Sequence, residues 1–428
     1  MKPTLIALVL CLFTTAASAE ERPNLILIMV DDIGQDGVSC YGGQQQTPNL
    51  DKLAKAGVRY ETVWCAAIEN SAQVSLLTGQ YPFRHQYDAS QRGLKESTWT
   101  KQTTFARRLR ESGYATAVGG YWRLNRLENR SDALQQHGFD EHCVWTKSDG
   151  LLPATKTKNR NGYMMINGHP ETGSYDSKKI NSFLIDFIRR KRKEPFLIFY
   201  PMPLGVGPRT PTPGTTPVQY KKAEFAADVT RMDQLLGELI EAVDNSQRAS
   251  NTLIVFTGGN GIFSSGSSVR QPLRDDRDRR SDWGVRIPLI VRAPFLTSGG
   301  RVSKDLIDST DLYPTFLELA GIDPPKDLIL DGRSCVPSLR GSEDPFEKRS
   351  WIFAQVGEFR MIRDWQHILD AQGNFHDLIK DPHQQRDVSP LDKIAPGRRQ
   401  RLEMILNRFP QSAPVKAAPT PDQTQSPK

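Results

Sequence analysis

The sequence predicts an α/β fold: a large domain around a mostly parallel central sheet, then a small antiparallel α+β domain. Three observations carry that expectation. Apolar runs such as Leu25–Val30 and Phe196–Tyr200 show no period-two alternation, as befits strands buried on both faces of a sheet. Amphipathic helical segments alternate with these runs, the order that builds a doubly wound sheet. From about Ser350 the texture changes to short strand-like segments in succession, which suit a small antiparallel sheet.

The chain opens with Met1-Lys2-Pro3, an apolar run from Leu5 to Phe13, and Ala17-Ser18-Ala19. A basic start, a short apolar core and an Ala-x-Ala site read as a secretory signal peptide over residues 1–19, cleaved before Glu20. The run is too short to span a bilayer as a retained helix, so the expected destination is secreted or periplasmic. Cys11 lies inside this leader and leaves with it. Of the five cysteines, Cys40, Cys65, Cys143 and Cys335 remain. In an exported protein they allow up to two disulfides, and the spacing does not choose a pairing. No Cys-x-x-Cys pair and no histidine cluster points to zinc.

Each element then has its own signal. Leu25–Val30 is a buried strand. Thr47–Gly57 is a helix with a cap residue, Pro48 at its first position and a closing glycine. Val58–Trp64 reads as a strand, Thr103–Gly113 as an amphipathic helix on Phe105 and Leu109, and Tyr114–Val118 as a strand. Ile180, Phe183, Leu184, Phe187 and Ile188 make the stripe of another helix, which leads into the strand Phe196–Tyr200. The longest helix spans about Gln219 to Val243, on Phe225, Val229, Met232, Leu236, Leu239, Ile240 and Val243. Strands follow at Leu253–Phe256 and Ile287–Val291. Pro203–Pro217 and Ser264–Trp283 read as long loops, which at the carboxyl end of a sheet would build a site. This large domain is expected over residues 20–345.

The small domain, 346–408, should hold strands at Trp351–Ala354, Phe359–Ile362, His367–Leu369 and Asn374–Leu378, closed by a helix from Lys393 to Arg408. Residues 409–428 carry five prolines and no apolar periodicity, the composition of a disordered tail.

Asp31 and Asp32 stand where the first strand ends, with Gly34 just beyond. In open α/β sheets ligands bind outside the carboxyl ends of the strands. Two adjacent carboxylates there repel unless a hard cation lies between them; otherwise they cap a polar turn.

Several motifs together resemble the sulfatase family of the alkaline-phosphatase-like superfamily, over about residues 22–408. Pro23-Asn24-Leu25-Ile26-Leu27-Ile28-Met29-Val30-Asp31-Asp32-Ile33-Gly34 is similar to the family's first strand and metal loop, and Thr47–Tyr60 to its first helix. Leu76-Leu77-Thr78-Gly79-Gln80-Tyr81-Pro82 resembles the segment after the family's nucleophile. Asp311–Ile322 and Leu330–Gly341 look like the end of the large domain, and Phe375–Pro382 like a small-domain motif.

The resemblance implies a formylglycine nucleophile made from Cys or Ser in a Cys/Ser-x-Pro-x-Arg motif. Here Glu69 stands at the nucleophile position, Ser71 at the proline and Gln73 at the arginine. A carboxyl side chain cannot be oxidised to an aldehyde, so no formylglycine is expected. The family's Gly-Lys-Trp-His-Leu reads Gly120-Tyr121-Trp122-Arg123-Leu124, which removes the lysine and the histidine. The histidine of Pro-His is Leu204, and the later loop lysine aligns with Arg277. Of the implied metal ligands, Asp31, Asp32 and Asn260 survive, Gly259 replaces an acid, and Glu69 is a further candidate. The cofactor expected is therefore weakly held calcium or none. Glu69 also has a simpler reading as a carboxylate ahead of a short helix, about Ala72 to Leu77. Asp233, on the long helix, matches a position read as structural.

Composition adds little. The chain has 56 Lys and Arg against 49 Asp and Glu, a net charge of +7. That excess suits sulfated or acidic carbohydrate, or serves solubility, and offers no support for nucleic-acid binding. Arg123, Arg209, Arg270 and Arg277 would line a basic cleft or lie solvated on the surface. Two functions follow from this set of residues. One is an exported sulfatase-family protein that is catalytically inactive and binds sulfated carbohydrate. The alternative is a sulfate- or phosphate-ester hydrolase with an unorthodox site.

Overall fold

The computed structural model describes residues 22–66, 70–86, 103–122, 124, 127, 132–147, 162–172, 175–204, 217–261, 280–388 and 395–410. The leader, Glu69, Arg123, Arg209, Arg270, Arg277 and the tail beyond residue 410 lie outside them.

A ten-stranded sheet forms the large domain, in the order β10-β2-β9-β8-β1-β7-β3-β4-β5-β6. At its centre β1 (Asn24–Val30) pairs in parallel with β7 (Phe196–Met202) and β8 (Thr252–Gly258). The parallel run continues through β3 (Ala115–Tyr121) to β4 (Glu141–Lys147). β2 (Val58–Trp64) and β10 (Arg301–Asp308) form a second parallel pair, joined to the rest by β9 (Leu289–Arg292), which runs antiparallel to both β2 and β8. A further antiparallel excursion, β5 (Gly162–Ile166) and β6 (His169–Thr172), extends the other edge.

β1 shows why the apolar run has no alternation. Leu25, Leu27 and Met29 enter the core on one face, and Ile26, Ile28 and Val30 enter the core on the other. The second face is covered by helices Pro48–Lys55, Ser177–Arg189 and Pro217–Asp244. On the long helix Val229, Leu239 and Val243 are wholly buried, each contributing about 1.5–3 kcal/mol relative to exposure. The first face is covered by helices Asn70–Thr78, Phe105–Glu111 and Leu312–Leu319.

The expected start of the helix at residue 48 holds, but Thr47 does not cap it. The Thr47 hydroxyl accepts from Ser39 N–H at 3.0 Å instead. The free amides of the first turn, Asn49 and Leu50, donate to the Asp233 carboxylate at 3.1 and 3.0 Å. Asp233 is thus structural, tying the long helix to the first one.

The small domain is a four-stranded antiparallel sheet, β11 (Ile352–Val356) to β14 (Phe375–Asp377), closed by the helix Ala395–Leu406. Phe353, Ile362, Leu369, Phe375, Leu402 and Ile405 form its core together with Ala66 and Tyr81 of the large domain.

Three expectations need correction. Cys40, Cys65, Cys143 and Cys335 are all free thiols, so no disulfide forms. The loop expected from Ser264 to Trp283 ends earlier, because a short helix, Asp282–Val285, begins within its last two residues. β4, β5, β6 and β10 add to the strands expected from sequence: β4, β6 and β10 mix charged with apolar residues, and β5 is only five residues long.

Candidate functional site at the carboxyl ends of the central strands

β8, β1, β7 and β3 lie side by side and run the same way, so the residues leaving their carboxyl ends converge. Asn260 follows β8, Asp31 and Asp32 follow β1, Leu204 follows β7, and Tyr121 closes β3.

Asp31 is half-buried, and its N–H donates to Met202 O at 3.2 Å, which fixes the chain as it leaves β1. Asp32 is exposed and left-handed, with φ of 58°. That conformation costs an ordinary side chain about 1–2 kcal/mol, and Asp and Asn tolerate it best. Asn260 is buried and locks onto it: the amide oxygen accepts from Asp32 N–H at 3.4 Å, and the NH₂ donates to Asp32 Oδ1 at 3.1 Å. The same NH₂ reaches Gly261 O at 3.3 Å.

Gly259 is held by its N–H to Val30 O at 2.8 Å. A Cβ at that position would lie 2.5 Å from Asp31 Oδ1 and 2.8 Å from Met29 Cε. The Asp31 carboxylate therefore stands where a side chain at 259 would begin.

Gln73, on helix Asn70–Thr78, is buried and donates Nε2–H to Tyr121 O at 3.2 Å. The structure thus brings together the residues aligned with an arginine and a lysine. The Tyr121 ring lies on Trp145, centroids 5.1 Å apart, and packs with the apolar core of its face. Leu204 is half-buried against the same core. Glu69, Arg123 and Arg277 fall outside the described residues.

One group under the site left no signal in the sequence. Asp282, buried on the short helix, accepts from Trp64 Nε1 at 2.8 Å and from Arg363 of the small domain at 2.5 Å. Its second oxygen takes Arg286 at 3.3 Å, and its own N–H donates to Gln384 at 2.7 Å. Burial alone would raise its carboxyl, but the Arg363 and Arg286 charges and the indole hydrogen bond bring it below the usual range. The helix it anchors touches the site, since Gly261 N–H donates to Gly284 O at 3.1 Å. Arg363 lies 81 residues further along the chain, so no local pattern could have announced the pair.

Among the described residues, the donor set falls short of what a resident divalent cation takes. Calcium takes six to eight oxygens. The described residues offer two carboxylates and one amide whose oxygen is already engaged by an N–H. Among the described residues, no group of three or more His, Cys, Asp or Glu is placed to hold a metal ion.

A mostly parallel sheet with helices on both faces, carrying its site beyond the carboxyl ends of the central strands, defines an α/β protein of the alkaline-phosphatase-like class. The Sulfatase family model matches residues 23–322, and the chain belongs to the sulfatase family. Arylsulfatase H of Homo sapiens is 25% identical, covering 75% of this chain and 73% of its own. Steryl-sulfatase of Mus musculus is 25% identical over 95% of this chain and 84% of its own. Among solved structures, Ps i-CgsB in complex with k-i-k-neocarrahexaose superposes with a TM-score of 0.74 at 23% identity, covering 91% of this chain and 92% of that one. BT4656 in complex with its substrate D-glucosamine-2-N,6-O-disulfate gives 0.69 at 19% identity, over 91% and 97%. At those identities the structural likeness is one of fold. No described helix is long and apolar enough to cross a membrane.

Proposed function

We propose that this chain is an exported, non-hydrolysing member of the sulfatase family that holds a sulfated or otherwise acidic carbohydrate in its cleft. The observation that carries the reading is the fate of the former catalytic positions. Gln73 is buried on the Tyr121 carbonyl, and Tyr121 and Leu204 lie against apolar core, so these positions present no charge to a substrate. Loss of one member of a catalytic unit typically costs ~10³–10⁶-fold in rate, and here several are replaced at once. Glu69 in place of a formylglycine precursor removes the family's nucleophile.

Family membership, and the ligands named for two proteins of the same fold, a neocarrahexaose and a disulfated glucosamine, support the carbohydrate class. The leader read at residues 1–19 supports export. Calcium would bind no more tightly than millimolar unless Glu69 joins its shell.

The test has two parts. Purified protein, co-expressed with a formylglycine-generating enzyme, should not turn over aryl sulfates, and mass spectrometry should find Glu69 unmodified. Calorimetry should show saturable binding of a sulfated oligosaccharide. Turnover that vanishes in Glu69→Ala would install the unorthodox hydrolase instead; absence of saturable binding would remove the carbohydrate ligand.

A further inference from the structure

The geometry points to an exchange at the rim of the site: the Asn260 amide has taken over the role of a cation toward Asp32, and Asp31 fills the place left by the side chain that Gly259 lacks. We infer that this rim folds and holds its shape independently of divalent metal.

The orientation of the amide is fixed by three contacts at once. Its oxygen faces the Asp32 N–H at 3.4 Å, and its NH₂ faces Asp32 Oδ1 at 3.1 Å and Gly261 O at 3.3 Å. Turning it over would set NH₂ against N–H and oxygen against two oxygens, three repulsive contacts for three attractive ones. The oxygen is therefore committed inward to the backbone, and the nitrogen supplies the positive end that a carboxylate at a strand terminus needs. A hydrogen bond to a charged acceptor is among the stronger ones and offsets the left-handed backbone of Asp32.

Asp31 completes the exchange. Its Oδ1 lies 2.5 Å from the place of a Cβ on residue 259, closer than real Cβ contacts come. The two positions thus depend on each other. With glycine at 259 the Asp31 carboxylate can settle into the space, and once it has settled, any side chain at 259 must displace it. Restoring an acid at 259 alone would collide with the residue it was meant to assist.

The inference is separable from the proposed function, because it is read in the stability of the full-length protein with no carbohydrate present. Thermal melts of wild type should give the same midpoint in chelator and in calcium up to the millimolar range, since a cation bound only to the folded state would raise the midpoint with its concentration. Asn260→Asp replaces the NH₂ donor by a third carboxylate; its midpoint in chelator should fall by several degrees. Calcium should then recover part of that loss. Gly259→Ala should lower the midpoint in the wild-type background and do so markedly less in Asp31→Ala, where the colliding carboxylate is gone. A wild-type midpoint that climbs at micromolar calcium would overturn the exchange. An equal cost of Gly259→Ala in both backgrounds would overturn the role given to Asp31.

Discussion

Gln73 Nε2 donates to the backbone carbonyl of Tyr121 at 3.2 Å, tying the helix Asn70–Thr78 to the end of β3. At the position where the sulfatase resemblance implies the arginine of the nucleophile motif, the side chain is a strut of the scaffold. Gln73→Leu removes the donor from a buried site and should cost about 1–2 kcal/mol in urea unfolding. Gln73→Arg should cost at least as much, because a longer and charged side chain must enter a position that is 2% exposed. Glu69→Cys combined with Gln73→Arg should still give no aryl-sulfate turnover, since Tyr121, Arg123 and Leu204 continue to occupy the places of the lysine and the two histidines. Detectable turnover in that pair would show that the remaining positions matter less than their chemistry suggests.

The joint beneath the site makes a larger prediction. Asp282 and Arg363 are both buried and paired at 2.5 Å across the two domains. Removing one partner leaves an uncompensated charge, which typically costs about 3–5 kcal/mol. Asp282→Ala and Arg363→Met should each be strongly destabilising in chemical denaturation, and the double variant should lose clearly less than their sum. Simple additivity would mean that the pair contributes nothing as a pair.

Stability should fall on the acid side for a reason visible in three histidines. Burial pushes His85 from 6.5 down to about 3, and His142 to about 4; burial with the nearby Arg107 charge brings His137 to about 4. The unfolded chain takes up these protons at about pH 6.5 while the folded chain refuses them. Their contribution is therefore complete above 6.5 and is lost as pH falls towards 4 and 3. Asp308 has the opposite sign. Burial first, then the Asp311 charge, outweigh the opposing Arg349 and raise its carboxyl from 3.8 to about 6. Its protonated form favours the fold, so acidification below 6 returns some stability. Asp233 and Asp331, raised by burial as well, act in the same sense as Asp308; at about 1.4 kcal/mol per unit, the three histidines outweigh Asp308. Denaturation midpoints should decline between about pH 6.5 and 4, and Asp308→Asn should steepen that decline. A flat profile in wild type would contradict this balance.

The parts of this fold that could be read in advance are those where one residue type forces one outcome. Unbroken apolar runs announced β1, β7 and β8, because a strand covered on both faces has no polar side to show. Proline at residue 48 announced a helix start, but its cap came from Asp233, a partner 184 residues away. The site was legible as a list of positions and not as an arrangement. Nothing in the spacing told that Asn260 would close on Asp32, or that Asp31 would occupy the space beside Gly259, because both depend on β1 and β8 lying side by side in parallel.

Asp32 gives the last prediction, which joins the proposed ligand to the rim. On the metal-independent rim inferred above, the carboxylates of Asp31 and Asp32 place negative charge beside the proposed ligand. A sulfate group brought near would be repelled, by about 1 kcal/mol at ~4 Å in a water-like medium and more where the surroundings are less polar. Asp32→Asn removes one of these charges and keeps the turn, since asparagine tolerates the left-handed backbone at φ of 58°. Affinity for a sulfated oligosaccharide should therefore rise several-fold, while affinity for its desulfated counterpart stays level. Salt should shrink the gain, because screening lengths fall from about 10 Å at 0.1 M to about 3 Å at 1 M ionic strength. Calorimetric titrations of wild type and Asp32→Asn at low and high salt would measure both effects. Weaker binding of the sulfated sugar in Asp32→Asn would point the other way, to a carboxylate that serves the ligand through a bound cation.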